Sequence, residues 1–474
     1  MTLTDLPAQN RSDDTIDKEI NKEINKEINK ESNKESNKEI NEELLDFLQK
    51  CPTSYHAADT IRKILLGEGY EELRESAPWT LKKGGRYFAV RGESSIIAFR
   101  LPHSAPTGFM IGASHTDSPS LKIKVNPEMT GNGYIRLNVE KYGGLIMQSW
   151  FDRPLSVAGR VVVRTAHGLE SRLVRVDRDL VMIPRLAIHM ERQMNEGQTL
   201  NLQKDLLPIY GLTGSEGSFM ELIAREAGCA AEEILAHDLY LYVRGRGAIW
   251  GAKNEFLSAG RLDDLQCGFA DLKGFLAAQD KTPEAGAIPV LAVFDNEEVG
   301  SRSRQGADSG YLSDILHRIG NALSWSDEQF RIMTAGSFMI SADNAHAVHP
   351  NYPDKADPVN RPGLNKGPVL KYNASLRYTT DAVAAAFFKE VCHRAGVPCQ
   401  EFTNRSDILG GSTLGHQSMT HFSVSTADVG LPQLAMHSAY ETAGTGDTLY
   451  MSKVMEVFFS SALRNEGRDC LVIV

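Results

Sequence analysis

The stretch from Val290 to Gly300, Val-Leu-Ala-Val-Phe-Asp-Asn-Glu-Glu-Val-Gly, constrains this chain more than any other. It opens as a short apolar, β-branched run and reads as a buried strand. It closes on Asp295, Asn296, Glu297 and Glu298. Adjacent glutamates at the mouth of a buried strand repel each other unless a cation or a proton compensates. Successive side chains of an extended backbone point to opposite sides. One glutamate can then hold a metal while the other faces a water on that metal. Taken alone, the stretch is equally a solvated loop with two surface acids.

Other candidate strand ends change that balance. The run 107–114 leads into His115-Thr-Asp117, and 336–341 is followed by Asp343, His346 and His349. The short run 432–436 ends at His437. In His-x-Asp, the carboxylate two residues on can accept the second imidazole N–H, which fixes the tautomer. Asp263 and Asp264 stand at the entrance of a helix whose Leu265, Phe269, Leu272, Phe275 and Leu276 recur at helical spacing. One aspartate can cap that helix, which leaves the other unexplained. In α/β sheets, sites gather outside the carboxyl ends of the strands. His115, Glu298, Asp343 and His437, with Asp263, are therefore expected in one cleft. Two imidazoles and three carboxylates exceed one tetrahedral zinc but suit two divalent ions sharing a carboxylate. Such ions bring the pKa of a bound water towards ~7. Glu297 is then placed to take a proton during attack and return it to a leaving amine. That chemistry is metal-assisted amide hydrolysis.

The remaining sequence sets limits. A length of 474 residues points to about two domains. The net charge of −10 argues against nucleic acid or an anionic membrane as the main partner. No apolar run reaches the length of a membrane span, and the N-terminal residues carry no apolar signal core. The six cysteines are scattered, and Cys392, His393 and Cys399 fit no usual structural zinc motif. A reducing, cytoplasmic location is the expectation. Residues 1–42 include a four-residue repeat, Asp/Asn-Lys-Glu-Ile/Ser, running from Asp17 to Ile40. Its period drifts around a helix and its lysines recur at i,i+4. It reads as a low-complexity, disordered extension, with folding expected from about Glu43. From 121 to 253, short alternating and β-branched runs read as a β-rich insertion. His189 within it reads, from its surroundings alone, as structural. The turn Gly410-Gly-Ser-Thr-Leu-Gly415 lacks the lysine of a phosphate loop and the spacing of a dinucleotide fingerprint.

Five segments together resemble the aspartyl aminopeptidase family of dinuclear zinc metallopeptidases, over roughly 43–474. They are Ser114-His-Thr-Asp-Ser-Pro119, Arg261-Leu-Asp-Asp-Leu265, Asp295-Asn-Glu-Glu-Val-Gly-Ser301, the run from Ile340 to Tyr352, and Met436-His-Ser438. The resemblance implies an α/β fold: a mixed-sheet catalytic domain with helices on both faces, in two parts (43–120 and 254–474). An inserted, mainly β dimerisation domain matches 121–253. It implies two divalent ions, zinc above all, with manganese or cobalt as substitutes. His115, Asp263 and Asp343 would hold one ion and Asp263, Glu298 and His437 the other, with Glu297 as base and Asp117 supporting His115. Lys371 and His346 would bind substrate, Lys371 suiting an acidic N-terminal residue. The family likeness also has His189 reaching a neighbouring subunit's site within a dodecamer. The expected substrates are peptides with a free N-terminus. Some relatives carry histidine where this chain has Arg185, and the Asn-Lys-Glu repeat matches no family motif. Two readings compete: a related deacylase or carboxypeptidase, which needs no free α-amino group, and a non-catalytic peptide- or cargo-binding assembly.

Overall fold

The computed structural model describes residues 35–281, 286–467 and 471–474. The run Ile288–Phe294 is a fully buried strand near the middle of a nine-stranded sheet. Its neighbours explain the site. Phe109–His115 lies parallel beside it, with Phe294 opposite His115. Phe338–Ala342 lies parallel beyond that, and Ser425–Gly430 parallel beyond that again. Three acid- or histidine-bearing strand ends thus emerge side by side, with His115 in the centre. Antiparallel strands, Ser95–Arg100 on one side and Val369–Tyr372 on the other, flank this parallel core, so the sheet is mixed.

Near-continuous apolar strands are the signature of a sheet covered on both faces, and alternation divides their side chains between two cores. Met110, Leu291, Val293 and Ile340 pack with Phe275, Phe388 and Phe458 of three helices on one face. Phe109, Ile111, Val290 and Ala292 pack on the other face with Ile315 and Ile319 of helix Tyr311–Ala322. No helix among the described residues is long and apolar enough to cross a membrane.

A second sheet, of six strands, is built wholly from residues 120–242 and is antiparallel throughout. It closes its own core around Leu121, Val139, Val157, Val161, Phe219 and Leu239. This sheet falls within the stretch read as a β-rich insertion but does not fill it. Ala248–Trp250 already pairs with Phe256–Ala259 in a separate five-stranded sheet, so the insertion's own sheet ends before residue 253.

The N-terminal boundary also moves. Residues 35–50 are helical, so order begins before Glu43. Ile40, from the last repeat, is buried in the main core, and the Asn41 side-chain amide donates to the Thr445 carbonyl at 2.7 Å. One isoleucine facing the core anchors a turn that the repeat's drifting pattern conceals. The repeat's first residues lie outside the described segments. The described cysteines, Cys392 and Cys399 included, are free thiols.

Candidate metal centre

His115 ends the central strand and is almost wholly buried. Its Nδ1–H donates to the Asp117 backbone carbonyl at 3.0 Å, with the Asp117 carboxylate at 3.3 Å. The backbone carbonyl, and not the carboxylate expected to fix the tautomer, is the nearer acceptor. Nε2 is left facing Asp263 Oδ1 at 3.5 Å. His437 repeats the device: Nδ1–H donates to the Gly144 carbonyl at 2.9 Å, and Nε2 faces Asp263 Oδ2 at 3.5 Å and Glu298 Oε2 at 3.4 Å. Pinning one ring nitrogen in this way frees the other as a metal ligand. His437 reaches this position from the five-stranded sheet, following strand Pro432–Leu434, and not from the main sheet whose strand ends carry His115, Glu298 and Asp343.

The aspartate pair does not cap its helix. Asp263 and Asp264 have non-helical backbone angles, and the residue before the helix, Arg261, makes no side-chain cap. Asp263 instead turns its carboxylate into the cluster. The Asp264 oxygens accept the backbone N–H groups of His115 at 3.1 Å and Asn344 at 3.2 Å. It lies within ligand reach of His115, Asp263 and Asp343, but those amides already occupy it. Asp264 ties together the ends of two neighbouring strands.

Asp117 does the same on the other flank. Its carboxylate accepts the backbone N–H groups of Glu297 and Glu298, at 3.1 and 3.2 Å, and the Tyr142 hydroxyl at 2.7 Å. The Asn296 side-chain amide donates in turn to Tyr142 at 2.8 Å. The two glutamates sit on a short 3-10 turn, Glu297–Val299, entered and left through left-handed residues Asn296 and Gly300. Glu298 joins Asp263 and His437, and both glutamates lie within liganding distance of His115.

Three groups of side chains within liganding distance of one another occur among the described residues: His115, Asp263, Asp264 and Asp343; His115, Glu297 and Glu298; and Asp263, Glu298 and His437. Asp263 belongs to the first and the third. Burial and the Asp263 and Glu297 charges push Glu298 well above the usual carboxylate range. Desolvation, together with Asp343 and Asp117, pushes Glu297 up to about 8 against the pull of His115. Burial would lower His115, but Asp264, Asp117 and Asp263 outweigh it and raise the imidazole well above its ordinary range. The cluster therefore holds protons it would release to a cation. Asp263 Oδ1 and Glu298 Oε1 are buried with no hydrogen-bond partner. Unpaired buried carboxylate oxygens are costly, and divalent ions held by these N and O donors would satisfy them. The residues fit metal.

Lys371 is buried, donating to the Asn344 carbonyl at 2.9 Å with Asp343 Oδ1 at 3.8 Å. Burial would lower its pKa, but Asp343 and Tyr378 outweigh that and raise it, so the ammonium stays charged. His346 is exposed on the neighbouring two-residue strand, against the Phe402 ring. His189 is not brought to this cluster. It stands exposed beside exposed Leu186, Ile188 and Met190. Arg185, close by, stacks on Phe151 and pairs with Asp152.

Sequence reasoning missed four contributors. Glu441 accepts the backbone N–H groups of Asp263 and His437, at 3.1 and 2.8 Å. Tyr142 braces Asp117. Gly143 and Gly144, both in the insertion, approach so closely that an added Cβ would lie 3.1 Å from Glu298 Cβ and 3.4 Å from His437 Nδ1. A glycine pair in a β-rich segment was the available signal for a close approach; Glu441 had none.

A covered mixed sheet with a shared carboxylate between two His/acid groups at its strand ends defines a metallopeptidase-type hydrolase. Residues 47–459 match the family described as aminopeptidase I zinc metalloprotease (M18). This chain belongs to that family and is a zinc metallo-aminopeptidase. A probable M18 family aminopeptidase 2 from Clostridium acetobutylicum is 47% identical over 426 residues, covering 88% of this chain and 98% of that protein. Among solved structures, Ape4 in its complex with Nbr1 superimposes with a TM-score of 0.86 at 35% identity, covering 90% of this chain and 86% of that one. The S. cerevisiae mApe1 dodecamer gives 0.78 at 27% identity, covering 89% and 96%.

Proposed function

We propose that this enzyme removes N-terminal residues from peptides with the help of two divalent ions per subunit, zinc first among them. The observation that carries this reading is Asp263. Its two oxygens face two different imidazole Nε2 atoms, each at 3.5 Å, as a carboxylate shared between two ions must. His115 and Asp343 would complete one ion's protein ligands, and Glu298 and His437 the other's. Bound there, the ions would supply Lewis-acid polarisation of the scissile carbonyl and a water acidic enough to react near neutral pH. Glu297 has no ligand duty in this scheme. Its raised proton affinity suits a group that takes a proton from water and hands it to the departing amine. Asp117 holds Glu297 and Glu298 by their backbone amides and His115 by its ring.

Preference for an N-terminal Asp or Glu rests on family likeness and on the charged Lys371 beside Asp343. One observation favours a second reading, neutral or broad preference: the Lys371 ammonium is already engaged by Asn344 and Asp343, which reduces the charge it offers a substrate. His346 would line the same substrate approach. His189, on its exposed apolar segment, would complete a neighbouring subunit's site in a homo-oligomer, a dodecamer by likeness to the yeast assembly, with the insertion joining subunits in pairs. A cytoplasmic location completes the proposal.

A panel of aminoacyl chromogenic substrates (Asp, Glu, Leu, Lys and an N-acetylated control), with and without chelator, tests it. Fast, chelator-sensitive release from Asp and Glu is the expected result. Release from Leu or Lys instead sinks the acidic preference and keeps the chemistry. Turnover of the acetylated control alone would make the enzyme a deacylase.

A further inference from the structure

Glu441 is buried on strand Glu441–Gly444 of the five-stranded sheet, and the hydrolysis just described gives it no task. Its two oxygens are used separately. Oε2 accepts the N–H of Asp263 at 3.1 Å, and Oε1 accepts the N–H of His437 at 2.8 Å. Those are the backbone amides of two residues whose side chains face each other at 3.5 Å. They arrive from different parts of the chain, one at a helix entrance and one on a loop following a strand. His437 needs such a hold, because its backbone is left-handed, with φ of 68°. A non-glycine residue rarely adopts that conformation unless its surroundings impose it. The opposite side of the loop is held as well: the Ile146 N–H donates to the His437 carbonyl at 2.9 Å.

Asp117 grips Glu297 and Glu298, and Asp264 grips His115 and Asn344, in the same way. The three carboxylates form a series, each spanning the backbone of two site residues. Glu441 is the member that serves the Asp263–His437 pair.

We propose that Glu441 is a positioning residue for the ion held by Asp263, Glu298 and His437, setting its affinity by fixing two of its ligands through their backbone amides. This rests on the two-ion reading above. A carboxylate can accept both amides, one on each oxygen. Glutamine can accept only one and turns an NH2 group towards the other, leaving an N–H facing an N–H. Loss of a partner that orients ligands costs roughly 10–100-fold in metal affinity. The ion shared with His115 and Asp343 keeps its other supports, Asp264 and Asp117.

The experiment is zinc binding to the full-length wild-type chain and to Glu441→Gln, titrated against a competing chromophoric chelator, with melting of the metal-loaded proteins recorded alongside. Wild type should bind two ions per chain. In E441Q one ion should weaken roughly 10–100-fold while the other stays within a few-fold, and kcat should recover in excess zinc. Glu441→Asp keeps the charge but is one methylene shorter, and it should weaken the same ion. If wild type binds two ions and both variants bind two with unchanged affinity, the positioning role is overturned and the two-ion reading stands. If wild type binds a single ion, the two-ion reading fails instead. Equal weakening of both ions with a lowered melting temperature would make Glu441 a general structural support and would also overturn the inference.

Discussion

In the proposed scheme Asp263 and Glu297 divide the work between holding and reacting. Asp263 lies between two imidazoles and has an unpartnered buried oxygen, a geometry that stores cost until a cation arrives. Glu297 is the acid left over once ligands are assigned. Glu297→Gln removes the proton carrier without removing a ligand, so kcat should fall roughly 10²–10⁴-fold with zinc content unchanged. Steady-state kinetics with metal analysis on the same sample checks this, and a variant that turns over at the wild-type rate would remove Glu297 from its role. At this scale the sequence was informative because chemistry-bearing side chains interrupt apolar runs. His115, Glu298, Asp343 and His437 were visible as strand ends, and Asp263 as a helix entrance. Glu441 and Tyr142 were not, because they act through backbone amides or through another side chain, and such contacts have no sequence period.

The element that matters most is the block of parallel strands. Phe294 opposite His115 fixes how far the Glu297–Glu298 turn projects past the central strand. Asp343 leaves the next strand but one, and its N–H donates to the Val429 carbonyl at 3.0 Å. Gly430 lies beneath it: a Cβ there would run into the Asp343 carbonyl and the backbone of Asn344. Because both obstacles are backbone, the strand end would have to shift. Gly430→Ala should cost about 1–3 kcal/mol by overpacking and weaken zinc binding through Asp343. Denaturation with and without zinc measures both effects, and a variant with wild-type zinc affinity would contradict the register argument. The strands themselves were legible from β-branched, apolar composition. Their spatial order was not, since pairing Ile288–Phe294 with Phe109–His115 joins segments separated by the whole insertion. The cap that one aspartate of Asp263–Asp264 could have supplied is not formed, for a related reason. Tertiary contacts with His115, Asn344 and His437 outweighed the local preference for an acid at a helix start.

Across the whole molecule, the insertion touches the candidate metal centre as well as carrying its own sheet. Tyr142 braces Asp117, Gly144 orients His437, and Gly143 packs against Glu298. The β-rich texture of 121–253 announced a separate unit. Its reach into the site became visible only in three dimensions, and its inner boundary fell short of 253 because Ala248–Trp250 pairs elsewhere. At the other end, Ile40 shows how a low-complexity repeat can merge into a core helix through one apolar contact. In the proposed scheme both units converge on two ions sharing Asp263. Anomalous scattering at the zinc edge from crystals of the zinc-loaded protein tests it most directly. Two peaks per chain are expected, one among His115, Asp263 and Asp343 and one among Asp263, Glu298 and His437. A single peak, or a second one away from Asp263, would contradict the scheme.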